Sequence, residues 1–188
     1  NLALENAQKD LDNRSKKVIE LQGIINRQDS IAQALKKKIS DALFGLENEG
    51  LTVELKNGKV YVSLDNELLF KAGSFTADDK GKKALKKLAD VLNSNEEINI
   101  TVEGHTDIDK YHGGAQLKDN WDLSVMRATQ IVKVLEGYKV SPGRLIASGR
   151  GEHLPLDNGK TKEAKKINRR TEIILTPKLD ILGEILGN

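Results

Sequence analysis

From Leu4 onward apolar residues return every three to four positions, and no proline interrupts the chain before Pro142. Heptads counted from Leu4 place Leu4, Leu11, Val18, Ile25, Ala32 and Ile39 at one seam position. Ala7, Arg14, Leu21, Gln28, Leu35 and Ala42 fall at the other. About six heptads with a mostly apolar seam predict a coiled-coil helix over residues 2–43. At 1.5 Å per residue it would reach roughly 60 Å. Arg14 and Gln28 weaken the seam but can fix its register. A single helix this polar is marginal in water, so a partner helix is expected. The alternative for the same stretch is a flexible, partly helical spacer. Gly45, Asn48 and Gly50 end the helical pattern.

The period then changes to two. Leu51, Val53 and Leu55 alternate with polar residues, Asn57-Gly58 marks a tight turn, and Val60, Val62 and Leu64 resume the alternation. That is the signature of a β-hairpin. Leu68-Leu69-Phe70 reads as a further short strand closed by Gly73. Thr76 is placed to cap a helix with apolar Ala84, Leu85, Leu88, Val91 and Leu92. The lysines of that helix lie mostly on its other face, as solvated residues do. Ile98, Ile100 and Val102 form the inner side of the next strand. Residues 109–119 form a polar, glycine-bearing loop. Leu123, Ala128, Ile131, Val132 and Leu135 give the stripe of a second helix. Ser141-Pro142-Gly143 turns into a short strand over 144–148, and residues 149–166 read as a polar loop. The last strand covers 171–176, stopped by Pro177, and an apolar-patterned tail follows as a candidate short helix. The predicted organisation is a coiled-coil stalk over 1–44, a globular domain over 51–177 and a tail over 178–188. Its class is α+β, with helices packed on one sheet and right-handed crossovers between parallel neighbours.

Composition narrows the function more by exclusion than by assertion. There are no cysteines, hence no disulfide framework, zinc–thiolate site or thiol nucleophile. Net charge is +2, too balanced to argue for nucleic acid. No apolar run approaches the roughly 18 residues that span a bilayer. The chain opens at Asn1 rather than a methionine and is read as a mature fragment whose membrane contact, if any, runs through an upstream anchor.

The chemistry-bearing residues form three groups. Gly104-His105-Thr106-Asp107 ends an apolar strand, Asn120-Trp121-Asp122-Leu123-Ser124 opens a helix carrying Arg127-Ala128, and Asn168-Arg169-Arg170 precedes the last strand. Asp107 at a strand end and Arg127 early in the following helix could clasp a zwitterion, carboxylate to ammonium and guanidinium to carboxylate. They could equally form an ion pair that only pins helix to strand. Thr106 and Asn120 offer a hydroxyl and an amide, although Asn120 also suits a helix-entry turn. Ser124 is placed to help cap that helix. Alternation along a strand would send Arg169 and Arg170 to opposite faces; Arg169 is favoured for the site and Arg170 for a role inside the fold.

The spelling GHTD, then NxxLSxxRA, then NRR resembles the OmpA-like (OmpA/MotB C-terminal) family over roughly residues 60–176. The resemblance implies a βαβαββ sandwich, here preceded by a hairpin. It also implies non-catalytic binding of peptidoglycan, in which Asp107 and Arg127 receive the free amino-acid end of meso-diaminopimelate in the stem peptide. Thr106, Asn120, Arg169 and Ser74 join the expected ligand-binding set, Ser74 through the family's first-strand motif at residues 69–74. Residues 109–119 are longer than the pattern, Lys71 stands where many relatives carry an acidic or small residue, and Ala164-Lys165 replaces Gly-Arg before the Asn-Arg-Arg group.

No enzyme reading competes well. Glu103 and His105 share a strand face and could hold a metal, but no second ligand set has recognisable spacing. No nucleophile elbow surrounds a serine, and Gly149-Arg150-Gly151 lacks the ending of a phosphate loop. No cofactor is expected. The expected partners are peptidoglycan, a second copy through the coiled coil, and other envelope proteins. The expected location is the periplasmic envelope of a Gram-negative bacterium, anchored to the outer membrane or, alternatively, the inner one. Two rivals remain: a MotB-like stator component of an envelope motor, toward which the NWDLSxxRA spelling leans, and a coiled-coil adaptor that grips another protein.

Overall fold

The computed structural model describes residues 2–46, 50–70, 77–112 and 117–178. Helix α1, Leu2–Ala42, runs unbroken through the predicted heptads. Its two ends have different surroundings. Leu4, Leu11 and Val18 are 74%, 61% and 64% exposed, whereas Ala32, Leu35, Ile39 and the following Leu43 are buried. The lower turns belong to the hydrophobic core of the globular part. The same seam that begins as an open stripe therefore ends as an intrachain packing face.

Strands β1, Leu51–Lys56, and β2, Lys59–Asp65, form the predicted hairpin. Asn57 and Gly58 both adopt positive φ (52° and 69°), the pair that a two-residue hairpin turn needs to match strand twist. A one-turn helix α2, Asn66–Leu69, follows. Next come helix α3, Asp79–Asn93, and strand β3, Ile98–Gly104. Helix α4, Asn120–Gly137, leads through a 3-10 turn at Pro142–Arg144 into strand β4, Leu145–Gly149. Helix α5, Lys162–Asn168, and strand β5, Arg170–Pro177, complete the chain.

The sheet order is β1-β2-β5-β3-β4. Every pairing is antiparallel except β3 with β4, which α4 joins as a parallel crossover. Helix α1 packs against β1, β2, β5 and α3, while α4 lies over β3 and β4. Val60, Val62 and Leu64 of β2, Ile98, Ile100 and Val102 of β3, and Ile173 and Leu175 of β5 are buried beneath them. Alternation sends Glu103 and Glu172 to the opposite face, where they sit directly across from each other.

The α+β sandwich on a mixed sheet is as expected, with four local corrections. Leu68 and Leu69 belong to α2, and Phe70 makes only an isolated bridge to Ala77. All three are buried because the turn tucks under α3, where a side chain on Gly81 would come within 2.9 Å of the Leu69 backbone. The first strand of the sandwich is therefore β2, so the hairpin is part of the sheet rather than a preface to it. Residues 149–166 are not all loop, since Thr161 caps α5 by accepting from the Ala164 N–H. Asp78 rather than Thr76 caps α3; Thr76 lies outside the described residues, as do Ser74 and the tail from 179 onward. Finally, Asp119 caps α4 by accepting from the Asp122 N–H, which leaves Ser124 for a different task.

Candidate functional site

Residues 104–107 divide among three environments. Gly104 lies where α4 touches the sheet: a Cβ there would stand 2.2 Å from the Ser124 carbonyl oxygen. Ser124 is fully buried, donates to the Trp121 carbonyl and accepts from the Gly151 N–H. Gly149 of β4 makes an equally close approach, since its Cβ would be 2.3 Å from Ser124 Oγ. Two glycines on neighbouring strands thus let the start of α4 rest on the sheet, bringing its side chains to the end of β3.

His105 points to the opposite face. Its Nε2 lies 3.4 Å from Glu103 Oε1 and 3.9 Å from Glu172 Oε2. The donor atoms of these three residues fall within 4.8 Å of one another. Glu172 thereby joins the Glu103–His105 pair seen in the sequence. Each carboxylate already faces an arginine: Arg150 Nε lies 3.0 Å from Glu103 and Arg170 Nε 2.7 Å from Glu172. Two like charges across a strand pair repel, and the arginines offset that repulsion, so the cluster is charge-balanced as it stands. The nearby His105, with help from Arg150, holds the Glu103 carboxyl below the usual glutamate range against the opposing effect of burial.

Thr106 and Asp107 reach the third environment. A cavity of about 200 Å³ opens beyond β3, lined by Thr106, Asp107, Asn120, Leu123, Arg127 and Arg169. Asp109, Lys110 and Tyr111 form its outer wall. Roomier hollows of about 330 and 430 Å³ lie against α1 and share none of these residues. Asp107 is buried; its Oδ1 accepts from the Asp109 N–H at 2.9 Å and its Oδ2 from Arg169 Nη1 at 2.8 Å. Asn120 donates to the carbonyls of Asp109 at 3.0 Å and Asp107 at 3.5 Å, fixing the start of the loop. Thr106 is tied by its N–H to the Gly151 carbonyl, and its hydroxyl donates to the Asp107 carbonyl. Lys165 of α5 holds Asp109 from outside at 2.8 Å.

Arg127 stands on the α4 side of the cavity. No ion pair joins it to Asp107 among the described residues, so the simple helix-to-strand pin does not form. Its Nε is buried without a hydrogen-bond partner among the described residues, and its guanidinium lies 5.8 Å from the Phe70 ring centroid, a cation–π distance. Burial pulls its pKa below the ordinary arginine value; Tyr111 opposes this, Arg169 adds to it, and Asp107 opposes it. Arginine stays charged despite such a shift. The cavity therefore contains a largely desolvated cation with unused donors facing an acid that retains lone pairs.

Five of the six expected site residues, Thr106, Asp107, Asn120, Arg127 and Arg169, line this one cavity; Ser74 lies outside the described residues. Arg169 and Arg170 diverge, but not by strand alternation: Arg169 is the C-cap residue just after α5, and β5 begins only at Arg170. Arg169 also reaches Glu67 of α2 at 3.5 Å, a contact that sequence order gives no sign of. Asn168 is buried and ties down the preceding loop, accepting from the N–H groups of Leu156 and Asp157 and donating to the Asp157 carbonyl.

Residues 69–169 match the OmpA family. The chain belongs to it. Among curated proteins it is 28% identical over 151 residues to motility protein B of Bacillus subtilis, a match covering 80% of this chain and 56% of that protein. Among solved structures, a putative MotB-like protein from Desulfovibrio vulgaris superposes with a TM-score of 0.73 at 26% identity, covering 84% of this chain and 95% of that one. The cell wall anchor of the type VI secretion system from Pseudomonas aeruginosa superposes with a TM-score of 0.68 at 25% identity, covering 74% and 97%. The chain spans 56–60% of the length of the first curated relatives it matches. In this OmpA-family domain, no described helix is long and apolar enough to cross a membrane.

Proposed function

We propose that this OmpA-family domain is a non-catalytic peptidoglycan-binding module that receives the zwitterionic end of meso-diaminopimelate in the stem peptide. The observation that carries the reading is the cavity's polarity: Asp107, oriented by Arg169 and Asp109, on one wall and Arg127 with an unpartnered Nε on the other. A guest ammonium would share the Asp107 carboxylate, and a guest carboxylate would take the Arg127 donors. Charge-assisted bonds of this kind each contribute roughly 1.5–3 kcal/mol net. Thr106 and Asn120 hold the receiving backbone in place. Nothing in this arrangement activates a water molecule, so the role is to hold the wall, not to cut it. The Pseudomonas aeruginosa relative is a cell wall anchor, which supports the same reading. On this reading the domain works in the periplasm of the envelope. Self-association through the exposed part of α1 would pair weak sites and raise avidity.

The test is titration with free meso-diaminopimelate and with a muropeptide, following backbone amide shifts. Perturbation is expected at Thr106, Asp107, Asn120 and Arg127. Asp107→Ala and Arg127→Ala should each weaken binding by at least about ten-fold, the equivalent of one charged hydrogen bond. Unaltered affinity in both variants would sink the proposal.

The similarity to motility protein B over 80% of the chain favours a second reading, in which the same wall contact bears force for an envelope motor. That role requires a membrane helix with an ionisable residue upstream of α1, and the full-length gene decides it.

A further inference from the structure

Beside the charged cavity the surface carries a feature that the clasp does not use. Trp121 is the chain's single tryptophan, and it is 48% exposed at the start of α4. Its ring stacks on that of His153, with centroids 5.0 Å apart and planes inclined by 29°. The His153 backbone N–H donates to the Arg150 carbonyl, and its Nε2 lies 3.8 Å from Glu152 Oε1. Between Arg150 and His153, Gly151 donates to Ser124 of α4 and accepts from Thr106 of the cavity. Trp121 itself follows Asn120, whose amide locks the cavity loop. Both rings are thus carried on backbone tied to the framework that holds Asp107.

An exposed tryptophan leaves a large apolar area in water, a cost that burial in a complex would recover. The stack covers one side of the indole with the His153 ring and leaves a flat apolar face exposed. Such a face suits a pyranose ring, whose C–H side packs on an aromatic plane while its hydroxyl and amide groups reach outward. We infer that Trp121, backed by His153, is a carbohydrate subsite that packs against the N-acetylated amino sugar from which the stem peptide hangs. This inference rests on the peptide reading of the adjacent cavity. The sugar end of the peptide lies about three residue-lengths from the diamino acid, roughly 10 Å at 3.3–3.6 Å per residue. Trp121 is the next residue along α4 from Asn120 of the cavity wall, one Cα step of about 3.8 Å, so that reach lets one ligand span both.

The experiment compares two ligands by calorimetry on the full chain: a disaccharide-linked muropeptide and the same stem peptide without sugars. The wild type should bind the muropeptide roughly three- to ten-fold more tightly, the increment of one aromatic contact. Trp121→Ala should erase that increment while leaving free-peptide affinity within about two-fold, which also shows that the variant is folded; Trp121→Phe should retain part of it. Trp121 emission should shift with the muropeptide and stay constant with the free peptide. Equal affinities in the wild type, or an unchanged ratio in Trp121→Ala, overturn the carbohydrate subsite and leave the peptide reading standing. Failure of the wild type to bind either ligand overturns both.

Discussion

At the residue scale, Gly104 governs the site without touching a guest. Its missing Cβ admits the Ser124 carbonyl at what would be a 2.2 Å contact, and the neighbour is helix backbone that cannot rotate away. Gly104→Ala must therefore push α4 off the sheet, a change expected to cost about 3 kcal/mol and to move Asn120 and Arg127 out of reach of Asp107. Thermal unfolding and muropeptide titration read the two losses separately. Gly137 is the control: it lies in the same helix with nothing within 4 Å of an added Cβ, so Gly137→Ala should be neutral or slightly stabilising. A variant at Gly104 that melts with the wild type would show that the close approach is not real. Arg144 illustrates a different kind of residue. It reads as the start of a strand, yet its buried guanidinium donates to the carbonyls of Ile98, Leu92 and Asn95, completing the C-terminal end of α3.

At the scale of elements, α1 is one helix with two environments, and the proposed self-association belongs to only one of them. Its lower turns supply Ala32, Leu35 and Ile39 to the core, while the upper seam presents Leu4, Leu11 and Val18 to water. Two variants separate these roles. Ile39→Ala should lower domain stability by about 2–5 kcal/mol through the cavity it leaves, with no effect on association. The double change Leu11→Asp and Val18→Asp should leave the melting temperature alone and abolish self-association, because charge at facing seam positions cannot be buried. Sedimentation velocity and thermal melts on both variants check the contrast. A protein already monomeric before substitution would remove the oligomeric role of α1.

At the scale of the whole molecule, the open face of the sheet carries a balanced cluster of Glu103, Glu172, His105, Arg150 and Arg170. Glu103 has its pKa lowered in the folded state, so its contribution to stability is complete above the unfolded glutamate value and is lost as pH falls through the folded one. Denaturation midpoints should therefore fall below about pH 4.3. Glu103→Gln should be less stable at neutral pH and show a flatter acid limb; identical acid limbs would refute the assignment. The same face shows where reading along the chain stops. Periodicity alone located the long helix, the Asn-Gly hairpin, α3, β3 and α4, because each buries one face at a fixed interval and the signal is local. It misplaced residues 68–70, because three consecutive apolar residues have no period and only the overlying α3 decides that they form a turn. It left α5 within a loop, because seven residues bearing four charges carry too short a stripe. The spelling of three separated motifs nominated Asp107, Arg127 and Arg169 together through the family resemblance, whereas their residue types alone left open an ion pair that only pins helix to strand. What the sequence determined by itself was thus the elements and the charges available to a ligand. Only the tertiary structure decided that Asp107 pairs with Arg169 rather than Arg127, leaving the latter's Nε unpartnered, because pairing across 62 positions of chain depends on how α5 and β3 meet at one end of the sheet.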